Sequence, residues 1–404
     1  MISIERGLEI VTTVAAAHAG DDWMPAESVP LAESLARILR EPIYCDFDSP
    51  PFDKAIRDGF AVRFEDVVNV PVDLRIIGES RAGAGADVIV NAGECCEIMT
   101  GAPLPPGATA VVMVEHTARK SNETVQILKG AKQSAGLLRQ GAEALKGDRL
   151  LDSGKRIGLA DIGLLASVGK TSVLVSKRPR VAVLATGDEL VDVSETPANG
   201  RIRNSNSYTM LTQCSLAGAA PMLLGIARDN LEDLRRQIRR GLEHDVLLVS
   251  GGVSMGKYDL VENVFAEFGV NVFFDKVAMK PGKPTVFGFR DRTFVFGLPG
   301  NPVSTMVAFQ MFVRPVILAL LKASDRPAIL EATLEAPAKC DPDRAALVPA
   351  HVRFDAGSYR IAAAAWKGSS DLVGLSKANA LIMIPRREGA LRAGDKAQFL
   401  FMDA

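Results

Sequence analysis

The sequence predicts a multidomain protein of mixed class: a parallel-sheet α/β domain, a small β domain inserted in the N-terminal half, and a C-terminal β barrel. Three observations carry this. Between residues 181 and 321, apolar runs of strand length alternate with helical stretches, the pattern of βαβ units. From 72 to 127 the chain breaks into short β-like runs split by glycine and proline. Past a polar linker at 322–327, strand-like runs recur to the end, as in a small β barrel or sandwich. A chain of 404 residues has room for two to four domains.

The elements follow in order. Residues 1–19 and 30–40 read as helices, the second with Leu31, Leu35, Ile38 and Leu39 on one face. Glu5, Arg6 and Glu9 interrupt the first, which is therefore no signal peptide. Residues 45–62 lose periodicity and gain Pro50, Pro51 and Gly59, so they read as loop. Strands are expected at 74–77, 88–90, 97–99, 110–115 and 124–128, then a helix at 159–167 and a strand at 171–175. The glycines of 81–87 lack the strand–helix frame of a dinucleotide loop. In the α/β region, strands fall at 181–185, 222–226 and 246–249, and helices near 207–217, 231–243 and 260–268. The stretch 303–321 contains Gln310, Arg314 and Pro315, so it reads as a buried helix broken near Pro315 rather than a membrane span. The last strands are expected at 347–353, 360–364, 380–384 and 397–401. Domain limits follow at 1–45 with 138–177, then 46–137, 178–325 and 326–404.

Bulk composition removes several functions. A net charge of −1 gives no general attraction to nucleic acid or anionic membrane. The run Arg235, Arg236, Arg239 and Arg240 is diluted by Glu232, Asp233 and Glu243 and reads as a solvated helix face. Five cysteines with no Cys-x-x-Cys spacing argue against a disulfide framework or structural zinc and fit a reducing cytoplasm. Four scattered histidines give no support to a zinc site or a Ser-His-Asp triad. Any metal must then lean on oxygen ligands, which favours magnesium.

The chemistry sits at strand ends. A Val-Leu run over 246–249 opens into Ser250-Gly251-Gly252-Val253-Ser254-Met255-Gly256, with Asp259 just beyond. Glycines there let backbone N–H groups approach an anion, and a carboxylate can hold a cation or a water. Thr186-Gly187-Asp188-Glu189-Leu190 follows another apolar run. Lys280-Pro281-Gly282-Lys283-Pro284 presents two ammonium groups on a proline-stiffened backbone. Leu298-Pro299-Gly300-Asn301-Pro302-Val303-Ser304 ends a strand and starts a helix, with Asn301 placed as N-cap and Pro302 at the first helical position. Loops at the C-terminal ends of an open α/β sheet converge on one crevice.

These four segments, in this order, resemble the molybdopterin molybdenumtransferase family, MoeA and the gephyrin E-domain. Asp58-Gly59-Phe60-Ala61 and Thr100-Gly101-Ala102-Pro103 resemble that family's N-terminal motifs, so the likeness spans nearly the whole chain. The resemblance implies a four-domain, elongated homodimer with a molybdopterin-binding α/β domain. It implies insertion of molybdate into adenylylated molybdopterin, with release of AMP. Asp58, Thr100, Glu189 and Asp259 then match catalytic positions, Glu189 and Asp259 also serving a metal, Mg2+ being expected. Ser250, Gly251, Gly252, Ser254, Lys280, Lys283, Pro299, Gly300, Asn301 and Pro302 match substrate-binding positions. The family places Asp58 and Thr100 near the active site where two subunits meet. Further implied partners are the upstream adenylyltransferase and the downstream molybdoenzymes. Some positions depart from the pattern: Ala55-Ile56-Arg57 before Asp58, Thr109 in place of an aspartate, Gln140-Gly141-Ala142-Glu143 in place of Arg-Gly-Glu-Asp, and Lys257 at an acidic position. They leave open a paralogue with shifted or lost turnover that acts in cofactor delivery or as a scaffold.

Overall fold

A computed structural model describes residues 1–20, 23–84, 87–252, 260–325 and 328–402. The chain divides into two compact units, one of Met1–Glu41, Ser153–Ile162 and Ser172–Ala404, the other of Pro42–Asp152 and Gly163–Thr171.

The first unit opens on α1 (Ile4–His18). The Ser3 hydroxyl oxygen accepts from the Arg6 N–H at its start, and Ile4, Val11 and Ala15 are buried along one stripe. The helix expected over 30–40 does not form. Ala26–Pro30 is a strand paired with Ser172–Ser176, a 3-10 turn follows at Leu31–Glu33, and Ala36 takes a φ of 62°. The backbone then bonds across the chain, Ala36 N–H to Ile157 O and Leu39 N–H to Lys155 O, both at 2.9 Å. Ile38 and Leu39 are buried by that pairing, so a long-range contact overrides a locally helical apolar pattern.

The second unit is built on β1 (Gly59–Val62), β2 (Val72–Ser80), β3 (Glu94–Ile98), β4 (Ala110–Met113), β5 (Thr117–Arg119) and β6 (Thr124–Ile127). They form one sheet in the order β4-β1-β3-β2-β6-β5. Residues 88–90 stay irregular, while 59–62, read as loop, form a central strand. All four residues of β1 are buried, so no alternation marks it. Gly59 is required there: a Cβ would stand 1.9 Å from the Val112 carbonyl oxygen. Cys95 and Cys96 enter apolar clusters on opposite faces of β3, as the two-residue period dictates. Burial pushes their thiols up to about 12 and about 11, so both are packing residues.

After α2 (Leu159–Ser167), the α/β portion runs β7 (Arg180–Thr186), α3 (Ser205–Ala217), β8 (Ala220–Ala227), α4 (Leu231–Gly241), β9 (Val246–Ser250) and α5 (Val261–Glu267). It continues with β10 (Asn271–Phe274), β11 (Val286–Arg290) and β12 (Thr293–Leu298). The sheet order is β8-β7-β9-β12-β11-β10. The first four strands are parallel, as predicted; β11 and β10 add an antiparallel edge that the sequence reading did not identify. On α4, Arg235 pairs bidentately with Glu267, Arg236 pairs with Asp233, and Arg239 lies over Phe268 at 5.6 Å. The basic run is thus engaged within its own domain.

The apolar stretch forms α6 (Pro302–Ala308), a π turn at Phe309–Val313 and α7 (Arg314–Leu320). Pro315 cannot donate to the fourth carbonyl back, and the wider turn lies just before it. The span Pro302–Leu320 is apolar enough to cross a membrane by composition, but 72% of it is buried, against α1 and the sheet. The remainder forms β13 (Leu330–Leu334), β14 (Ala345–Asp355), β15 (Ser358–Ala363), α8 (Leu372–Leu375), β16 (Ala380–Ile384) and β17 (Lys396–Phe401). The order β14-β15-β13-β17-β16, with β16 returning to β14, closes a five-stranded barrel over Leu334, Val352, Ile361, Ile382 and Phe399.

Candidate functional site

The C-terminal ends of β7, β9 and β12 open into a cleft of about 310 Å³, lined by Thr186, Glu189, Ser250, Gly300, Asn301 and Pro302. Residues 204–206 at the start of α3, with Ser370 and Leu372 of the barrel region, complete its wall. Two glycines let the walls meet. Gly251, at φ 97°, donates its N–H to Leu298 O at 3.0 Å, and a Cβ there would stand 2.5 Å from Thr186 O. Gly252, at φ 65°, leaves no room for a Cβ beside Val261. Both lie in the left-handed region that only glycine enters freely.

Hydrogen bonds tie the loops together. The Ser250 hydroxyl donates to Pro299 O at 3.2 Å, and the Thr305 hydroxyl to the same carbonyl at 2.5 Å. Asn206 Nδ2 bonds to Ser250 Oγ at 2.9 Å and Gly300 O at 2.7 Å. Asn301 occupies the N-cap position of α6 with Pro302 behind it, as expected, but its side chain makes no capping bond. The Glu189 carboxylate folds back over Gly187, where a Cβ would stand 2.4 Å from Oε2. Asp229, at the end of β8, accepts from the Thr186 hydroxyl at 3.0 Å. Ser254 and Asp259 lie outside the described residues, as does Lys257. Among the described residues, no three Asp, Glu, His or Cys are arranged to hold a metal ion.

The lysine loop is built from the chain's beginning. Ile2 bridges in parallel to Val277, with Ile2 N–H donating to Lys276 O at 3.1 Å and Ala278 N–H to Ile2 O at 2.7 Å. Met279–Lys280 then pairs with the start of β14. Thr285 closes the turn, its hydroxyl donating to Gly282 O at 2.7 Å. Pro281 and Gly282 are buried while both lysine side chains stay exposed, so the backbone is anchored and the charges face outward.

In the second unit, Asp58 and Thr100 meet. Asp58 Oδ1 accepts from the Thr100 N–H at 2.7 Å and from its hydroxyl at 2.8 Å. These two bonds hold the Asp58 carboxyl below its usual range. Asp53 nearby accepts from the Gln140 N–H at 2.8 Å and pairs with Arg139, and its own pKa is lowered despite partial burial. Glu143, the surviving acid of its motif, accepts from the Ser49 hydroxyl at 2.7 Å and lies 3.6 Å from Lys54. Thr109 uses its hydroxyl to accept from Phe64 N–H at 2.9 Å, a backbone-fixing role.

Sequence reasoning missed Asn206, Asp229 and Ser370. The cluster Asn204-Ser205-Asn206-Ser207 before an apolar helix was the available signal for the first. A larger cavity, about 690 Å³, lies at the N-terminal ends of β7, β9 and β12, opposite the cleft. There Arg180 donates to Glu243 O at 2.7 Å, just past the C-terminal end of α4, and Arg292 donates to Trp23 O at 3.2 Å. Those cations serve backbone carbonyls, so the strand C-termini remain the better site.

A parallel α/β sheet with a cleft and glycine-containing loops at its strand ends, followed by a closed barrel, defines a class of multidomain α/β protein. The comparisons narrow that class. The MoeA N-terminal region (domain I and II) matches residues 2–169, a probable molybdopterin binding domain matches 182–319, and the MoeA C-terminal region (domain IV) matches 331–402. The chain is 34% identical to a molybdopterin molybdenumtransferase of Staphylococcus epidermidis over 91% of its length and 89% of that protein. It is 33% identical to one of Staphylococcus aureus, covering 94% of this chain and 92% of that one. A crystal structure of the molybdopterin biosynthesis MoeA protein from Pyrococcus horikoshii, 31% identical, superposes with a TM-score of 0.78 over 100% of this chain and 99% of the other. The chain belongs to the molybdopterin molybdenumtransferase family. It is a transferase of molybdenum cofactor biosynthesis.

Proposed function

We propose that this protein inserts molybdate into adenylylated molybdopterin with release of AMP. The supporting observation is the convergence of Ser250, Gly300-Asn301 and Glu189 on one cleft, with Gly251 packed beside Gly300, in the part of the chain that matches a molybdopterin binding domain. The reaction breaks a phosphoanhydride and passes an oxyanion to a dithiolene, so the protein's task is to position and neutralise negative charge. Lys280 and Lys283 neutralise phosphate and molybdate. Ser250, Gly251, Gly252, Ser254 and the turn Pro299-Gly300-Asn301-Pro302 cradle the substrate. Glu189 and Asp259 hold Mg2+, whose preference for oxygen suits a carboxylate set without histidine or thiolate. Held there, the ion would supply positive charge to neutralise the anionic ligand, which carboxylates cannot bind directly.

The active protein is a homodimer in which Asp58 and Thr100 of one subunit serve the cleft of the other. Five free, buried cysteines suit a reducing cytoplasm. The decisive experiment supplies adenylylated molybdopterin, Mg2+ and molybdate, and measures AMP and active cofactor. Molybdate-dependent AMP release supports insertion. Tight binding without release favours the delivery or scaffold reading, which the departures beside Asp58 motivate. For the dimer, inactive Asp58→Ala and Asp259→Ala subunits are mixed. Recovery of activity on exchange supports shared sites; no recovery, with exchange verified by mass spectrometry, means each chain builds its site alone.

A further inference from the structure

Asn206 lies on the first turn of α3 and lines the cleft. Three oxygens surround its side-chain nitrogen: Gly300 O at 2.7 Å, Ser250 Oγ at 2.9 Å and Thr305 Oγ1 at 3.4 Å. Each is an acceptor toward it. Gly300 O is a carbonyl, and both hydroxyls already donate to Pro299 O. An amide oxygen turned toward this set would stand 2.7 Å from the Gly300 carbonyl oxygen with no proton between them. That carbonyl fixes the amide with nitrogen inward, whichever way the two hydroxyls point. The other end, Oδ1, accepts no hydrogen bond among the described residues, although every neighbouring loop is bonded.

We infer that Asn206 is a specificity-determining residue whose locked Oδ1 accepts an N–H from the heterocycle of the bound ligand. The inference rests on the molybdopterin reading of the cleft and adds what that reading lacks. Lysines, backbone N–H groups and a cation all recognise negative charge; none tells a nucleotide or pterin from inorganic phosphate. A fixed neutral acceptor does. Amino and ring N–H groups on a pterin or an adenine are complementary to it, and a site built around such a bond rejects ligands without the donor. Preorganisation by three inward bonds means that little side-chain freedom is lost on binding.

The test uses calorimetric titration of the full chain with three probes: AMP, molybdopterin without the adenylyl group, and pyrophosphate. Asn206→Ala should weaken either AMP or molybdopterin by about tenfold, the worth of one well-placed neutral hydrogen bond, and leave pyrophosphate unchanged. The affected probe identifies which heterocycle reaches Oδ1. Asn206→Asp adds a readout that a loop-holding role would not give in a ligand-selective way. Its carboxylate is repelled by the Gly300 carbonyl oxygen at neutral pH. Its protonated acid can donate inward and accept outward, so affinity for the same probe should recover as the pH is lowered, with pyrophosphate again indifferent. Equal losses for all three probes would show that Asn206 only ties the loops, and no loss for any would show that it is inert; either overturns the inference. If wild-type protein turns over molybdate but Asn206→Ala shows no discrimination, this inference fails alone. If discrimination is seen without AMP release from the adenylylated substrate, the insertion reading fails and the recognition role stands.

Discussion

Replacing Gly251 with alanine should cost more than replacing a glycine of similar backbone angle elsewhere, and the difference measures how tightly the cleft is closed. At φ 97°, an alanine pays a left-handed penalty of about 1–2 kcal/mol. Its Cβ would also stand 2.5 Å from Thr186 O, a backbone atom that cannot swing aside. Forcing that contact adds about 1–3 kcal/mol, so Gly251→Ala should lose about 2–5 kcal/mol in all. Gly200 is the control: φ is 75° and nothing lies within 4 Å of its would-be Cβ. Gly200→Ala should show only the first term. Urea unfolding followed by tryptophan fluorescence suits the comparison, because Trp23 stacks on Phe294 at 5.1 Å, at the start of β12. AMP titration gives a second readout, since relief of the clash moves the Ser250–Gly251 turn away from Thr186, which also lines the cleft. Equal midpoint shifts for the two variants would refute the argument that β7 and β9 meet in contact at this glycine.

Other expectations follow from the same geometry. Lys280→Ala and Lys283→Ala should each weaken binding of molybdate or the adenylylated pterin by about 1.5–3 kcal/mol, with stability unchanged, because both side chains are exposed; unchanged calorimetric affinity would make them ordinary surface lysines. Glu189→Ala should lower AMP release about 10²-fold or more while nucleotide binding persists, and near-normal release would remove it from the metal site. Asp58 should titrate below 3.8, and Thr100→Val should raise that value by removing the hydroxyl donor. The sign is that of a depressed carboxylate: the stabilisation is present above the unfolded pKa and is lost as pH falls through the folded one, which carboxyl-carbon NMR can follow.

The α/β sheet was legible because its central strands, Arg180–Thr186, Val246–Ser250 and Thr293–Leu298, are buried apolar runs that open into glycine-containing loops. The barrel strands were legible from β-rich runs such as Ala380–Ile384. What failed had a physical reason in each case. Ile38 and Leu39 had helical spacing, but their backbone is bonded to residues 155–157, which no local pattern reveals. Gly59–Val62 is buried on both faces and sits next to Asp58, so it offered neither alternation nor a long apolar run. The antiparallel strands Asn271–Phe274 and Val286–Arg290 escaped because the first is short and mostly exposed and Gly288 interrupts the second. At the site, motif residues could be picked from their chemistry. Asn206 could not, because its importance comes from Ser250, Gly300 and Thr305, which lie 44, 94 and 99 positions away.

The bridge between Ile2 and Val277 gives the start of the chain a part in the candidate site. Four residues after Val277 begins the turn that carries Gly282 and Lys283, and that turn hangs from a two-bond tether to the second residue of the protein. Proteolytic trimming as far as Ser3 would cut the tether while leaving every motif residue in place. Such a protein would keep its folded sheet and barrel, yet hold the lysine turn by fewer bonds, chiefly the Met279–Lys280 pairing with β14. Met1 is exposed, so an appended tag has a free path outward; the residue to protect during purification is Ile2. For this chain, an intact Ile2 therefore belongs among the controls of any measurement that reads the lysine turn.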